Sequence, residues 1–150
     1  MKVNIVFGTV YGSAQAVAEQ LTAQIQQAGV EVELREHSQL SGWLPPAEQV
    51  LLVVSSTTGQ GDVPDDIAPW FQALKQQAPY LPAVYYAVVA LGDSSYEHFC
   101  GAGRQFDELL AELGAKSLLT RLQLDATETM SPEQDASAWL PKFLAAISSR

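Results

Sequence analysis

Short apolar segments alternate with helix-spaced segments along the chain, and this alternation constrains the fold more than any other feature. The apolar segments are VNIVFG (3–8), VEVELRE (30–36), VLLVVSS (50–56), AVYYAVVALG (83–92) and SLLTRLQL (117–124). Strands that alternate with helices form a parallel sheet covered by helices on both faces. The sequence therefore predicts an α/β protein, a three-layer α/β/α sandwich with five parallel strands.

The segments that follow four of these strands carry apolar residues three and four positions apart, as one face of a helix requires. These residues are Ala14, Val17, Ala18, Leu21, Ile25 and Ala28, then Ile67, Trp70, Phe71 and Leu74, then Phe106, Leu109, Leu110 and Leu113, and finally Trp139, Leu140, Phe143, Leu144 and Ile147. Gly29 and Gly114 are predicted to close the first and third helices. Pro69 is predicted to lie in or near the first turn of the second helix, or else to kink it.

The composition of the strands predicts their order in the sheet. The first, third and fourth strands are almost continuously apolar, as strands buried on both faces must be. The second and fifth strands interleave apolar with charged or polar residues and are therefore predicted to lie at the edges. With right-handed crossovers, the order 2-1-3-4-5 places the three apolar strands inside the sheet and the second and fifth strands at its edges.

The length of 150 residues and a hydrophobic content of 47% suit one domain, so residues 1–150 are predicted to form a single domain. The sequence contains no run of 18 apolar residues, and its first residues are interrupted too early for a secretory signal. A cytoplasmic location is therefore expected. Cys100 is the only cysteine, which excludes an intramolecular disulfide.

The formal charge of −9 argues against nucleic acid or an anionic membrane as the main partner. It is compatible with a basic protein partner. The alternative is that the surplus acid serves solubility alone.

Three loops rich in Gly, Ser and Thr follow the three central strands. They are GTVYGSA (8–14), SSTTGQGD (55–62) and LGDSSYEHFC (91–100). Ligands of open α/β sheets bind beyond the carboxyl ends of the strands, at the point where the strand order reverses. Each loop alone could be an ordinary turn, and Tyr96 of the third could pack on neighbouring side chains. Together the three loops predict a site for a flat ring system with a phosphate tail.

The first loop leads into a helix N-terminus, where free N–H groups favour an anion. Thr9, Tyr11 and Ser13 add hydroxyl groups, and Gly12 permits close approach of the backbone. The loop contains no Lys or Arg, which excludes a Walker A sequence, and its glycine spacing differs from the G-x-G-x-x-G pattern.

These motifs resemble those of the short-chain flavodoxins along essentially the whole chain, and within them the MioC-like branch of small bacterial flavodoxins. GDSSYEHFCGA is the most specific motif, STTGQGD is nearly as specific, and GTVYGSAQAVAE fits the phosphate loop less strictly. The resemblance implies a flavodoxin-like fold and FMN as the cofactor.

The resemblance also implies which residues surround FMN. Thr9, Val10, Tyr11, Gly12, Ser13 and Ala14 would surround the phosphate. Ser56, Thr57, Thr58, Gly59, Gln60, Gly61 and Asp62 would form the loop on the inner face of the isoalloxazine. Leu91, Gly92, Asp93, Tyr96, His98, Phe99 and Cys100 would form the outer loop, with Tyr96 stacked on the ring. The peptide of Gly59 would turn so that its carbonyl accepts a hydrogen bond from N5 of the one-electron-reduced flavin.

Two residues depart from the family pattern. Ala14 stands where many relatives have a hydroxyl residue, which implies one phosphate donor fewer. Thr58 stands where many relatives have an aromatic ring, which implies stacking on one face of the flavin unless Tyr11 or another side chain compensates.

Acidic residues are predicted to gather at the carboxyl edge of the strands. They are Asp62, Asp65, Asp66, Asp93, Glu97, Asp125 and Glu128. Negative charge there disfavours the anionic reduced flavin and lowers its potential. It would also attract a basic partner, which the resemblance implies is a flavodoxin reductase or an acceptor redox enzyme. The chain is expected to be a monomer.

Several other conspicuous residues are predicted to have structural roles. Trp70 and Trp139 are expected in the core, and Cys100 is expected to be a packed thiol. His98 is expected to be a partly exposed loop histidine, although it could make the potential depend on pH. Trp43 is expected to cap the sheet edge or to help a partner dock. The two histidines and one cysteine show no metal-ligand spacing.

The sequence thus predicts a low-potential, one-electron FMN carrier without catalytic residues of its own. The alternatives are a small FMN-dependent quinone or nitro reductase that uses NAD(P)H directly, and a flavin-free adaptor. A response-regulator receiver is disfavoured, because Gly8-Thr9 and Ser55-Ser56 stand where its acidic residues are expected.

Overall fold

The computed structural model describes residues 1–129 and 131–149. Its strands are β1 (Val3–Gly8), β2 (Val32–Leu34), β3 (Val50–Ser55), β4 (Tyr85–Gly92), β5 (Lys116–Ser117) and β6 (Leu122–Asp125). Its α-helices are α1 (Ser13–Gln27), α2 (Ala68–Gln77), α3 (Gly101–Glu112) and α4 (Pro132–Ser148), and a 3₁₀ helix spans His37–Gln39.

The strands form one parallel sheet in the order predicted from the sequence, β2-β1-β3-β4-β5. β1 pairs with β3 from Val3 opposite Val50 to Gly8 opposite Ser55, and β3 pairs with β4 from Val50 opposite Tyr85 to Ser55 opposite Ala90. The three central strands therefore end at nearly the same level, which brings the loops that follow them together.

The apolar residues form two cores, one on each face of the sheet. Val3, Ile5 and Phe7 of β1 pack on one face with α1 and α4, whereas Val6 of β1 packs on the other face with α2 and α3. This division into three layers is the α/β/α sandwich that the sequence predicted. Trp70 and Trp139 lie in the two cores, as expected.

The fifth strand position is divided between two short strands. β5 and β6 both pair with β4 in parallel, through Tyr85 opposite Lys116 and Val89 opposite Leu122. Between them the chain leaves the ladder, and Arg121 Nη1 donates a hydrogen bond to Asp107 Oδ2 of α3 at 2.8 Å. The sequence predicted one continuous strand here because periodicity alone does not show this ion pair.

The helix ends follow the turn chemistry of the sequence. Pro69 lies in the first turn of α2, as predicted. α1 ends at Gln27 and is followed by Gly29 with φ 82°, a left-handed conformation that glycine adopts without strain. Ser131 caps α4 by accepting a hydrogen bond from the backbone N–H of Gln134. Among the described helices, none is both long and apolar enough to span a bilayer.

Candidate ligand-binding site

A cavity of about 650 Å³ lies at the carboxyl ends of β1, β3 and β4. This volume falls in the range of small-molecule sites. The residues that line it are Val10, Tyr11, Ser13, Ser56, Thr57, Thr58, Gly59, Leu91, Gly92, Asp93, Tyr96, His98, Phe99, Cys100, Leu124, Ala126, Thr129 and Pro132. All three loops singled out from the sequence therefore contribute to one cavity.

The cavity lies where the direction of the crossovers changes. α1, which follows β1, packs on one face of the sheet, and α2, which follows β3, packs on the other. The loops at the ends of β1 and β3 therefore diverge, and an open α/β sheet binds its ligands in the crevice between such loops.

The β1–α1 loop places the open N-terminus of α1 beside the cavity. Gly12, with φ 91°, precedes the first turn, and no side chain caps the helix. The first N–H groups of a helix lack intrahelical partners, and they carry partial positive charge. Thr9 Oγ1 accepts a hydrogen bond from the Gly12 N–H at 2.8 Å, so its own proton can be donated elsewhere. This loop can hold an anion with neutral donors.

The β3–α2 loop forms a tight turn at the cavity. The Gly61 N–H donates to the Thr58 carbonyl at 2.8 Å, and the Thr58 N–H donates to the Asp62 carbonyl at 3.0 Å. Gly61 has φ 83°, and a Cβ there would lie 2.6 Å from Cβ of His98. Gly61 must therefore be glycine, both for its conformation and for space. Gly59 and Gln60, by contrast, are exposed at the tip of the turn.

The beginning of α3 holds this turn in place. Gln105 Nε2 donates to the Gly61 carbonyl at 2.6 Å, and the Ala102 N–H donates to Thr57 Oγ1 at 3.3 Å. A Cβ at Gly101 would lie 2.8 Å from the Gly61 carbonyl oxygen, so the two backbones can approach this closely only because Gly101 lacks a side chain. Sequence reasoning did not find Gln105, because a single glutamine on a helix carries no recognisable pattern.

The β4–α3 loop is held in place by two carboxylates. Asp93 accepts from the N–H and the hydroxyl of Ser95. Asp125, at the end of β6, accepts from the N–H groups of Ser94 and Thr127, both at 3.0 Å. Hydrogen bonds from Ser94 and Thr127 lower the pKa of Asp125 to about 2, so this carboxylate stays ionised near neutral pH.

Large apolar side chains in the cavity are open to solvent. Val10 is 45% exposed, Tyr96 63% and Tyr11 95%. An exposed aromatic ring gains little unless a ligand or partner covers it. Three such side chains around one cavity therefore point to a ligand with a large apolar face.

Cys100 lies at the back of the cavity as a buried, unreactive thiol, as the sequence suggested. It is 0% exposed, and its sulfur lies 3.6 Å from the Ala90 carbonyl oxygen. Burial, together with the negative charge of Asp125, raises the pKa of Cys100 to about 12. A thiol in this state has almost no thiolate near neutral pH, which argues against a nucleophilic role.

Six of the predicted site residues do not line the cavity, and they are Thr9, Gly12, Ala14, Gln60, Gly61 and Asp62. Ala14 is 0% exposed and packs in the core beneath the loop. Thr9, Gly12 and Gly61 shape the loops from behind through the hydrogen bonds above, while Gln60 and Asp62 are exposed on the β3–α2 turn. Residues of all three predicted loops line the cavity, but the motif pattern does not separate residues that face the cavity from those that support them.

Four lining residues were not predicted, and they are Leu124, Ala126, Thr129 and Pro132. Leu124 lies near the end of β6, and the other three residues follow this strand. The carboxyl ends of β6 and β4 lie at the same edge of the sheet. Since parallel strands bring all their carboxyl ends to one edge, the loop after the fifth strand position could have been included on topology alone.

The predicted acidic residues differ in how far they are available to a partner. Asp62, Asp65, Glu97 and Glu128 are exposed, whereas Asp66, Asp93 and Asp125 are partly buried. Asp93 and Asp125 hold the β4–α3 loop, as described above. Asp66 accepts the Thr9 N–H with both carboxylate oxygens, at 3.0 and 3.1 Å.

Trp43 and His98 make specific contacts. The carbonyl of Trp43 accepts from Trp70 Nε1 at 3.0 Å, and the Arg35 guanidinium lies 4.2 Å from the centroid of the Trp43 ring. Trp43 thus closes the edge of one core. His98 is exposed and packs over Gly61 at the mouth of the cavity.

The fold is a doubly wound parallel α/β sheet with a cavity at its switch point, which is where open α/β sheets bind their ligands. Comparison with known proteins identifies its class more closely. The flavodoxin family model matches residues 5–139. The chain therefore belongs to the flavodoxin family.

Individual relatives agree with this assignment. The chain is similar to Flavodoxin YqcA of Pectobacterium carotovorum subsp. carotovorum, with 47% identity over 139 residues that cover 93% of this chain and 92% of the relative. A solved structure of a cysteine-to-serine mutant of a flavodoxin from Pseudomonas aeruginosa superposes with a TM-score of 0.88 at 41% identity, and 99% of each chain is covered.

One further relative is a larger protein. The sulfite reductase (NADPH) flavoprotein alpha-component of Vibrio parahaemolyticus is 37% identical over 149 residues, which cover 99% of this chain but 24% of that protein. The family implies a flavin-binding, electron-transfer protein.

Proposed function

We propose that this protein binds FMN in the cavity and carries single electrons between a reductase and an acceptor enzyme. The observation that supports this most strongly is the joint placement of an uncapped helix N-terminus and exposed tyrosines around one cavity of suitable size. FMN, when bound, takes up and releases electrons one at a time, which is the chemistry a carrier needs.

The β1–α1 loop would hold the phosphate group of FMN. The hydroxyl group of Ser13 and the N–H groups at the start of α1 would donate hydrogen bonds to its oxygens, while Thr9 supports the loop from behind through its hydrogen bond with Gly12. Among the described residues that line the cavity there is no Lys or Arg, so the phosphate would rest on neutral donors. Ala14 is buried and supplies no hydroxyl, so Ser13 would donate the hydroxyl hydrogen bond beside the N–H groups of α1.

The β4–α3 loop would cover one face of the isoalloxazine ring with Tyr96. Thr57, Thr58 and Gly59 of the β3–α2 loop would lie against the other face without an aromatic side chain. Tyr11, 95% exposed on the β1–α1 loop, is the other tyrosine that lines the cavity and could add apolar cover. This arrangement makes Tyr96 the main stacking residue.

Gly59 would be the residue whose peptide turns so that its carbonyl can accept a hydrogen bond from the bound flavin. A Cβ at Gly59 would meet nothing within 4 Å, and the residue lies at the exposed tip of the turn. Gly61, at the other end of the turn, is held by Gln105 and covered by His98. The exposed Gly59 end of the turn would therefore be the end that changes conformation, while the Gly61 end stays fixed.

The exposed carboxylates near the cavity would dock basic partners. Asp62, Asp65, Glu97 and Glu128 are exposed on the loops at this edge of the sheet. Long-range attraction between such a rim and a basic surface accelerates association. The similarity to one part of the sulfite reductase flavoprotein supports an exchange of electrons with a flavin reductase. A cytoplasmic monomer fits this role.

Steady-state kinetics distinguish the carrier from a reductase that uses NADPH directly. With a quinone as acceptor and without added reductase, the purified FMN-loaded protein is expected to oxidise NADPH no faster than free FMN. Addition of a flavodoxin reductase is expected to start rapid turnover. Steady NADPH oxidation by the pure protein alone would contradict the carrier function and support a direct quinone or nitro reductase.

A further inference from the structure

Three segments that are distant in sequence meet behind the β1–α1 loop, outside the lining of the cavity. They contribute His37 of the 3₁₀ helix, Asp66 ahead of α2, and Thr9 at the start of the loop. Both oxygens of Asp66 accept from the Thr9 N–H, and Asp66 Oδ2 lies 3.3 Å from His37 Nε2. The β1–α1 loop is thereby tied to two other parts of the fold.

The hydrogen bonds fix the form of the histidine. His37 Nε2 lies 2.8 Å from the Phe7 carbonyl oxygen, which can only accept a hydrogen bond. Nε2 must therefore carry a proton, which it donates to the Phe7 carbonyl, and Asp66 Oδ2 lies 3.3 Å from the same nitrogen. The imidazole also packs edge-on against the Phe7 ring, with centroids 4.6 Å apart. His37 is thus fixed by Phe7 in a position beside the Asp66 carboxylate.

The base of this cluster is tightly packed. Ile67, next to Asp66, is fully buried, and a Cβ at Gly8 would lie 2.5 Å from Ile67 Cγ2. The end of β1 and the segment before α2 therefore cannot slide past each other. The Asp66 carboxylate, which accepts the Thr9 N–H, is therefore held in a fixed position relative to the sheet.

The bond from Thr9 sets the geometry of the following residues. With the Thr9 N–H held by Asp66, the Thr9 hydroxyl accepts the Gly12 N–H at 2.8 Å, and the Gly12 carbonyl accepts the first helical hydrogen bond, from Ala16, at 3.0 Å. A continuous series of hydrogen bonds thus runs from Asp66 to the beginning of α1.

A carboxylate close to an anion-binding loop requires an explanation, because like charges repel. The Asp66 carboxylate is stabilised locally by the charge-assisted hydrogen bond that both of its oxygens accept from the Thr9 N–H. We propose that Asp66 is a positioning residue for the phosphate group, acting through Thr9. This inference rests on the proposed binding of FMN.

The test compares FMN with riboflavin, which lacks the phosphate. Full-length apoprotein is titrated with each flavin. The dissociation constant of riboflavin divided by that of FMN measures the contribution of the phosphate. In Asp66→Ala this ratio is expected to fall about tenfold because one hydrogen bond to a charged group is lost. The affinity for riboflavin is expected to stay unchanged. Asp66→Asn keeps an acceptor for the Thr9 N–H and is expected to remain within about threefold of the wild type.

Asp65→Ala is the matched control, since Asp65 is an exposed carboxylate one residue away. If Asp66 were merely a charge on the rim, both alanine variants would leave FMN affinity unchanged or raise it. An FMN affinity of Asp66→Ala equal to or above that of the wild type therefore overturns the inference. If the wild type binds neither flavin, the proposed function itself fails.

A second measurement needs no variant. In the wild-type apoprotein, the Thr9 amide is expected to exchange its hydrogen at least about tenfold more slowly than the Tyr11 amide, because only Thr9 is held by a carboxylate. Equal exchange rates would overturn the positioning role of Asp66, whatever the flavin titrations show.

Discussion

Replacement of Tyr96 by alanine is expected to weaken FMN binding by about 1–3 kcal/mol, which is about 5- to 150-fold in the dissociation constant. Tyr96 lines the cavity and is 63% exposed, so its ring has a free face for a flat ligand. Thr58 offers no aromatic face on the other loop, and no other ring can fully replace the loss. The measurement is a titration of the apoprotein followed by flavin fluorescence.

Two variants serve as controls for this result. Tyr96→Phe keeps the ring and is expected to bind FMN within about threefold of the wild type. Tyr80→Ala removes an exposed tyrosine, 78% accessible, that does not line the cavity, and it is expected to leave FMN affinity unchanged. An unchanged affinity in Tyr96→Ala would exclude Tyr96 from the flavin site.

Replacement of Gly103 by alanine is expected to lower the free energy of unfolding by about 1–3 kcal/mol, although alanine favours a helix more than glycine does. A Cβ at Gly103 would overlap the Cβ of Ala90 and lie 3.2 Å from its Cα. α3 would have to move away from β4. Because α3 holds the β3–α2 turn through Gln105 and Ala102, FMN affinity is expected to fall as well.

The double variant with Ala90→Gly tests the cause of this loss. Removal of the Ala90 side chain restores space for the new Cβ, so the double variant is expected to be more stable than Gly103→Ala alone. Gly59→Ala is the matched control: its Cβ meets nothing within 4 Å, so stability is expected to change by no more than about 0.5 kcal/mol. Chemical denaturation measures the free energy of unfolding of the two Gly103→Ala variants and of Gly59→Ala. Wild-type stability in Gly103→Ala would show that α3 and β4 are not packed this closely.

The layers of the fold could be predicted from the sequence because the burial of a strand determines which residue types it contains. β1, β3 and β4 are buried on both faces and are almost continuously apolar, while β2 is half-buried and alternates apolar with charged residues. The division of the fifth strand position could not be predicted in this way. Arg121, which lies between β5 and β6, contacts Asp107 of α3, and periodicity within one segment does not show such a contact between two elements.

The candidate site was predictable at the level of loops, since Gly, Ser and Thr gather where three central strands end. Individual contacts were less predictable. Thr9 was expected to add a hydroxyl group beside the phosphate, but the contact of its N–H with Asp66, a residue 57 positions later in the chain, was not foreseen. Asp66 itself was expected to face a partner. Such long-range pairs are fixed by the packing of His37 and Ile67, which no local pattern reveals.

The absorption spectrum of the purified protein tests the central proposal most directly. We predict a yellow protein with oxidised flavin bands, which releases FMN in a ratio of one molecule per chain upon denaturation. Apoprotein prepared from it should take up FMN again and quench its fluorescence. A colourless protein that does not bind added FMN would contradict the proposed function and favour a flavin-free adaptor.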